Sequence, residues 1–98
     1  MRAMRATLTG DLTIGDCIML HYCAARGGRT SAGHYVVNGD TIESVMAGLI
    51  NSAKSYFLAD SEVKASKGNL TIVTAHPDGD WVTEVLGAKT ETFTIEEL

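Results

Sequence analysis

Proline and cysteine are nearly missing: one of the first, Pro77, and two of the second, Cys17 and Cys23, in 98 residues. Two cysteines are too few for a disulfide scaffold. With a single proline, no low-complexity tract and no run of like charge, nothing marks a linker, and residues 1–98 read as one domain. No stretch approaches the ~18 consecutive apolar residues of a membrane span. The opening MRAMRATLTGDL carries two arginines but no apolar run behind them, so it does not read as a secretory signal. That predicts a protein made in a cytoplasm and kept there or packaged from there. A clustered basic face is also missing. The formal net charge is −4, and residues 50–98 hold four lysines against eight acids, which argues against a nucleic-acid or anionic-membrane partner.

What is present is ordinary globular material, 45% apolar and 20% charged. A chain this short buries only about 60–70% of its unfolded surface, so its core is thin and neighbouring subunits would add stability. The clearest element is a helix. Asp40 stands three residues before Glu43, the spacing of a capping box. Behind them Ile42, Val45, Met46, Leu49, Ile50, Ala53 and Phe57 recur at three- and four-residue steps. This predicts a helix over about 40–56.

The rest reads as strand. Residues 3–9 put Met4, Ala6 and Leu8 on one side, and 16–24 are apolar on both faces, as in a central strand. The glycine- and arginine-rich ARGGRTSAG reads as a mobile hairpin tip centred on Arg26–Ser31, with 34–38 as the returning strand. After the helix come strands at 62–66 and 70–74 around Lys67-Gly68-Asn69. A Pro77-Asp78-Gly79 turn follows, then a final pair, 81–86 and 90–95, around Gly87. The order β-β-β-α-β-β-β-β predicts an α+β fold: an antiparallel sheet or small sandwich with one amphipathic helix.

Candidate chemistry is sparse. Cys17, Met19, His21 and Cys23 share strand parity, but the two cysteines lie six residues apart, roughly 20 Å along a strand. They can neither pair with each other nor bind one zinc. His21, Cys23 and His34 could meet across the hairpin, the one metal-site geometry worth carrying; otherwise the cysteines are small buried hydrophobes and the imidazoles face solvent. Ser31, His34 and Asp40 are the residue types of a nucleophilic triad, without a nucleophile elbow around the serine. Asp78 and Asp80 are explained by turn chemistry rather than by an EF-hand, and the Gly-Arg stretch lacks a P-loop pattern. The expectation is no catalytic, cofactor or metal residue.

The order of small motifs carries a resemblance. Gly15-Asp16-Cys17-Ile18, Tyr35-Val36-Val37, Gly39-Asp40-Thr41-Ile42, Leu49-Ile50-Asn51, Val63-Lys64-Ala65, Gly68-Asn69-Leu70-Thr71-Ile72 and Pro77-Asp78-Gly79 follow one another over residues 12–86. In that order they resemble the small β-rich domains of bacteriophage tail, fibre and other virion structural proteins. The Gly-Arg tip and the two cysteines depart from that pattern. The resemblance implies a non-enzymatic, multi-copy virion component, a tail, fibre, baseplate or capsid-decorating protein. It would assemble in the host cytoplasm with itself, as a trimer or hexamer, and with other virion proteins. A second resemblance is to the lysin-motif domains that bind peptidoglycan, through residues 35–45. Those are βααβ units, and 58–66 lacks the length and periodicity of their second helix. A small metal-dependent or hydrolytic enzyme built on His21, Cys23 and His34 is the third reading.

Overall fold

The computed structural model describes residues 2–54, 61–66, 68–74 and 78–98. Among them the elements run β1 (Arg2–Gly10), β2 (Cys17–Cys23), β3 (Arg29–Tyr35), α1 (Ile42–Lys54), β4 (Ser61–Ser66), β5 (Asn69–Thr74), β6 (Asp80–Leu86) and β7 (Glu91–Glu97). The expected α+β order is the observed one. Every strand pairing is antiparallel. A larger sheet has the order β4-β5-β1-β7 and a smaller one the order β3-β2-β6.

Strand periodicity builds the core between the two sheets. Met4, Ala6 and Leu8 of β1 and Phe93 of β7 point inward from the larger sheet. Ile18 and Leu20 of β2, Ala32 of β3 and Trp81 of β6 point inward from the smaller. The helix packs mainly on β3, and also on β2, β4 and β1, closing one side of the sandwich with Val45, Met46, Leu49 and Ala53. Phe57, the last residue of the expected stripe, and Pro77, in the expected turn, lie outside the described residues. Opposite the helix, β6 and β7 run side by side at the seam between the sheets, where the Thr83 hydroxyl donates to the carbonyl of Phe93 at 2.8 Å.

Three expectations need correcting. The strand after the Gly-Arg stretch is Arg29–Tyr35, not 34–38. The turn is confined to 24–28, closed by Ala24 N donating to Gly28 O and Gly27 N to Ala24 O. Arg29, Thr30 and Ser31 therefore belong to a ladder, because across from them β2 offers Cys23, Tyr22 and His21 as partners. Second, β6 and β7 are not a hairpin pair: β6 pairs with β2 and β7 with β1, so the chain changes sheets at Gly87. Alternation alone cannot say which sheet a strand joins.

The third correction is the helix start. Thr41 is the cap: its carbonyl accepts from Val45 N at 2.9 Å and its hydroxyl from Ser44 N at 3.2 Å. Ser44 Oγ in turn accepts from Thr41 N at 2.8 Å, so the reciprocal box joins Thr41 to Ser44 rather than Asp40 to Glu43. Asp40 lies one residue earlier, at the end of a turn in which its N–H donates to Val37 O and Gly39 takes φ +92°.

Candidate functional site

The two outer faces of the sandwich differ in chemistry. On the larger sheet, Arg5, Thr7 and Thr9 of β1 lie beside Glu96, Thr94 and Thr92 of β7, a polar and threonine-rich surface. On the smaller sheet the register sets out four cross-strand rows: Tyr35-Cys17-Leu86, Gly33-Met19-Glu84, Ser31-His21-Val82 and Arg29-Cys23-Asp80. Tyr35 is 69% exposed, Val82 44% and Leu86 42%. Exposed Ile14 and Val37 adjoin the Tyr35 end, where Gly15 N donates to Val36 O. Large exposed hydrophobes gathered on one face, with polar groups beside them, are the usual mark of a contact surface.

Gly33 lets this face pack tightly. A Cβ there would stand 3.0 Å from Cys17 Sγ and 3.4 Å from Met19 Cε, so the missing side chain is the space those two sulfur-bearing groups occupy. Cys17 is buried, as expected of a small hydrophobe, and burial pushes its thiol pKa up. Cys23 is only half-buried.

His21 overturns an expectation. Rather than facing solvent, it is 3% exposed although it lies on the outer face. Its Nδ1 is 2.7 Å from Ser31 Oγ and its Nε2 2.9 Å from Glu84 Oε1, so the ring clamps β3 to β6 across β2. Arg29 Nη2 stands 3.7 Å from the same carboxylate oxygen. With Glu84 ionised, Nε2–H donates to it and Nδ1 accepts from the Ser31 hydroxyl. The residue types are those of a serine–histidine–acid relay, but Ser31 sits in mid-strand. It has none of the strand-to-helix geometry that offers free N–H groups to an oxyanion. A shallow depression of about 250 Å³ lies alongside, lined by His21, Cys23, Arg29, Val82, Thr83 and Glu84.

His21, Cys23 and His34, which the sequence left free to meet across the hairpin, do not come together. His34 pairs with Ile18 and so points to the inner side, whereas His21 and Cys23 lie on the outer one. No group of three or more His, Cys, Asp or Glu side chains among the described residues is placed to hold a metal ion. Ser31, His34 and Asp40, set aside as a triad in the sequence, do not form one: Ser31 belongs to His21, while His34 Nε2 donates to Asp40 Oδ2 at 3.0 Å. The same carboxylate accepts from Val37 N at 2.9 Å and, on its other oxygen, from Ser44 Oγ at 2.7 Å. Val37 N–H foremost, then His34 and Ser44, lower the Asp40 pKa to about 2.

A second carboxylate cluster closes the end of the sandwich. Asp16, 2% exposed, accepts from Ala88 N at 2.8 Å and Lys89 N at 3.2 Å. Its hydrogen bond with the Glu91 side chain, reinforced by these loop N–H groups, holds its pKa below the usual value despite burial. Glu91, 5% exposed, also accepts from Thr13 N at 3.1 Å. Both acids are thereby used in fixing the 87–90 crossover.

Sequence reading missed Glu84, which lies 63 residues from its histidine. Only the shared parity of His21 with Cys17 and Cys23 pointed to this face. Comparison with family models, curated proteins and solved structures finds no match to the chain.

Proposed function

We propose that this chain is a non-enzymatic structural domain that works by assembling with copies of itself, in a bacteriophage virion as the order of its motifs implies. The carrying observation is the inequality of the two outer faces. The β1 and β7 columns of one are threonine and charge; the other holds Tyr35, Leu86, Val82, Met19 and Cys17 around a buried polar clamp. A lone domain gains nothing by exposing Tyr35, Val82 and Leu86 to water. The relay through Ser31, His21 and Glu84 supports the same reading. It joins all the strands of the smaller sheet and so stiffens the surface a neighbour would meet.

The motif order maps onto elements: Gly15-Asp16 leads into β2, Gly39-Asp40-Thr41 is the turn and cap of α1, and Gly68 precedes β5. Tyr35 closes β3, while Val36 and Val37 follow it. Light scattering on a size-exclusion column tests the reading. A mass of several chains that rises with loading is the expected result, and a monomer at every concentration would reject it.

A further inference from the structure

We infer that the outer face of the smaller sheet is a two-fold contact for a second copy of this chain, with the symmetry axis running parallel to β2. The inference rests on the assembly reading and names its surface. When two such faces meet about that axis, the columns exchange sides: β3 of one copy lies over β6 of the other, and β2 lies over β2. Rows stay level. In the top row Tyr35 of each copy comes to lie over Leu86 of its mate; in the bottom row Arg29 comes to lie over Asp80.

Each encounter happens twice, and each is complementary. Tyr35 and Leu86 are both exposed hydrophobes, and Arg29 and Asp80 are exposed opposite charges on opposite edge columns. An axis perpendicular to the sheet gives no such face contact. An in-plane axis at right angles to β2 would set the charged row against the apolar one. The charge pattern thus selects one arrangement among the face-to-face ones, which is the specificity that rim charges supply. Sheets packed with nearly aligned strands, about 10 Å apart, are also the ordinary geometry of a sandwich.

Size sets the strength. Seven residues along β2 by the strands of this sheet cover only about 300 Å². With Ile14 and Val37 at one rim, the patch remains smaller than the roughly 800 Å² per partner of a stable complex. The pair is therefore weak and concentration-dependent, and it closes at two copies. Larger assemblies would add contacts elsewhere on the domain.

Cys23 lies in the central column, so its two copies face each other across the axis. At a sheet separation of about 10 Å the two Cα atoms are too far apart for a disulfide, yet within the span of a short bismaleimide. The test uses the whole chain. Sedimentation velocity over a concentration series gives the monomer–dimer midpoint for the wild type, Tyr35→Ser, Arg29→Asp, Asp80→Arg and the double swap Arg29→Asp/Asp80→Arg. Circular dichroism checks each fold. Tyr35→Ser and either single charge reversal should raise the midpoint at least tenfold, and the double swap should return it to within about threefold of wild type. A bismaleimide should join two wild-type chains and leave Cys23→Ser monomeric, while oxidant alone joins neither. A wild type that multimerises with unchanged midpoints and no Cys23 cross-link overturns this face while leaving assembly standing. A wild type that stays monomeric throughout overturns both, and a dimer formed only with a different protein would do the same.

Discussion

Asp40 was expected to cap the helix and instead gathers three donors from three places: the Val37 N–H, the His34 ring and the Ser44 hydroxyl. Its folded pKa of about 2 lies below the ordinary aspartate value of 3.8. The stability it contributes is therefore complete above the unfolded value and is lost as pH falls from there through about 2. Urea midpoints should drop on acidification from about pH 5 to about pH 2 in the wild type. Asp40→Asn should begin lower at pH 5 and lose less over the same range, with the remaining loss carried by groups such as Asp16. Equal slopes in the two proteins would contradict this role. Gly48 makes a sharper case. In most helix interiors, replacing glycine by alanine stabilises by up to about 1 kcal/mol. Here a Cβ would fall on the His34 imidazole, which Asp40 holds in place. Gly48→Ala should destabilise by about 1–3 kcal/mol by overpacking. In a His34→Ala background the same change should become neutral or favourable, and a double-mutant cycle by chemical denaturation measures that reversal.

At the scale of elements, alternation and helical spacing were enough to find the helix and the strands other than β3, because inward positions must be apolar at the period of the element that carries them. Leu49 illustrates it: predicted mid-stripe, it is fully buried among Val45, Met46 and Ala53. Leu49→Ala should cost about 2–5 kcal/mol in an equilibrium melt. What local pattern could not supply was pairing. Arg29, Thr30 and Ser31 have loop composition, yet β2 beside them makes them strand. The cap shifted by one residue because Ser44, as well as Glu43, can answer it. The site was legible only as a shared face of β2; its acid, Glu84, arrives from a strand placed there by the fold. Deletion of Arg29–Ser31 should therefore unfold the domain, removing nearly half of β3 and the partner of His21. Shortening the tip at Arg26–Gly27 should leave the far-ultraviolet spectrum and the melting temperature nearly unchanged.

For the whole molecule, the crossover from β6 to β7 is the joint on which the two sheets depend. Gly87 sits there at φ +109°, and a Cβ would strike the Asp16 carboxylate that holds the N–H groups of Ala88 and Lys89. Backbone strain and that collision act together, so Gly87→Ala should destabilise by about 2–4 kcal/mol. The loss should appear in both sheets at once. If hydrogen exchange showed only β7 loosened, the crossover would not be their common joint.

The arrangement of β1 has a consequence for how the chain reaches this state. Its neighbours in the larger sheet are β5, beginning at Asn69, and β7, beginning at Glu91. Strand β1 must therefore wait for its neighbours, with Met4, Ala6 and Leu8 short of their full cover, until β5 and then β7 have been made. Such distant pairings are slow to find, on the order of milliseconds to seconds. During that interval a half-made chain offers a sticky ribbon to any neighbour. The greatest hazard falls before β7 has been translated.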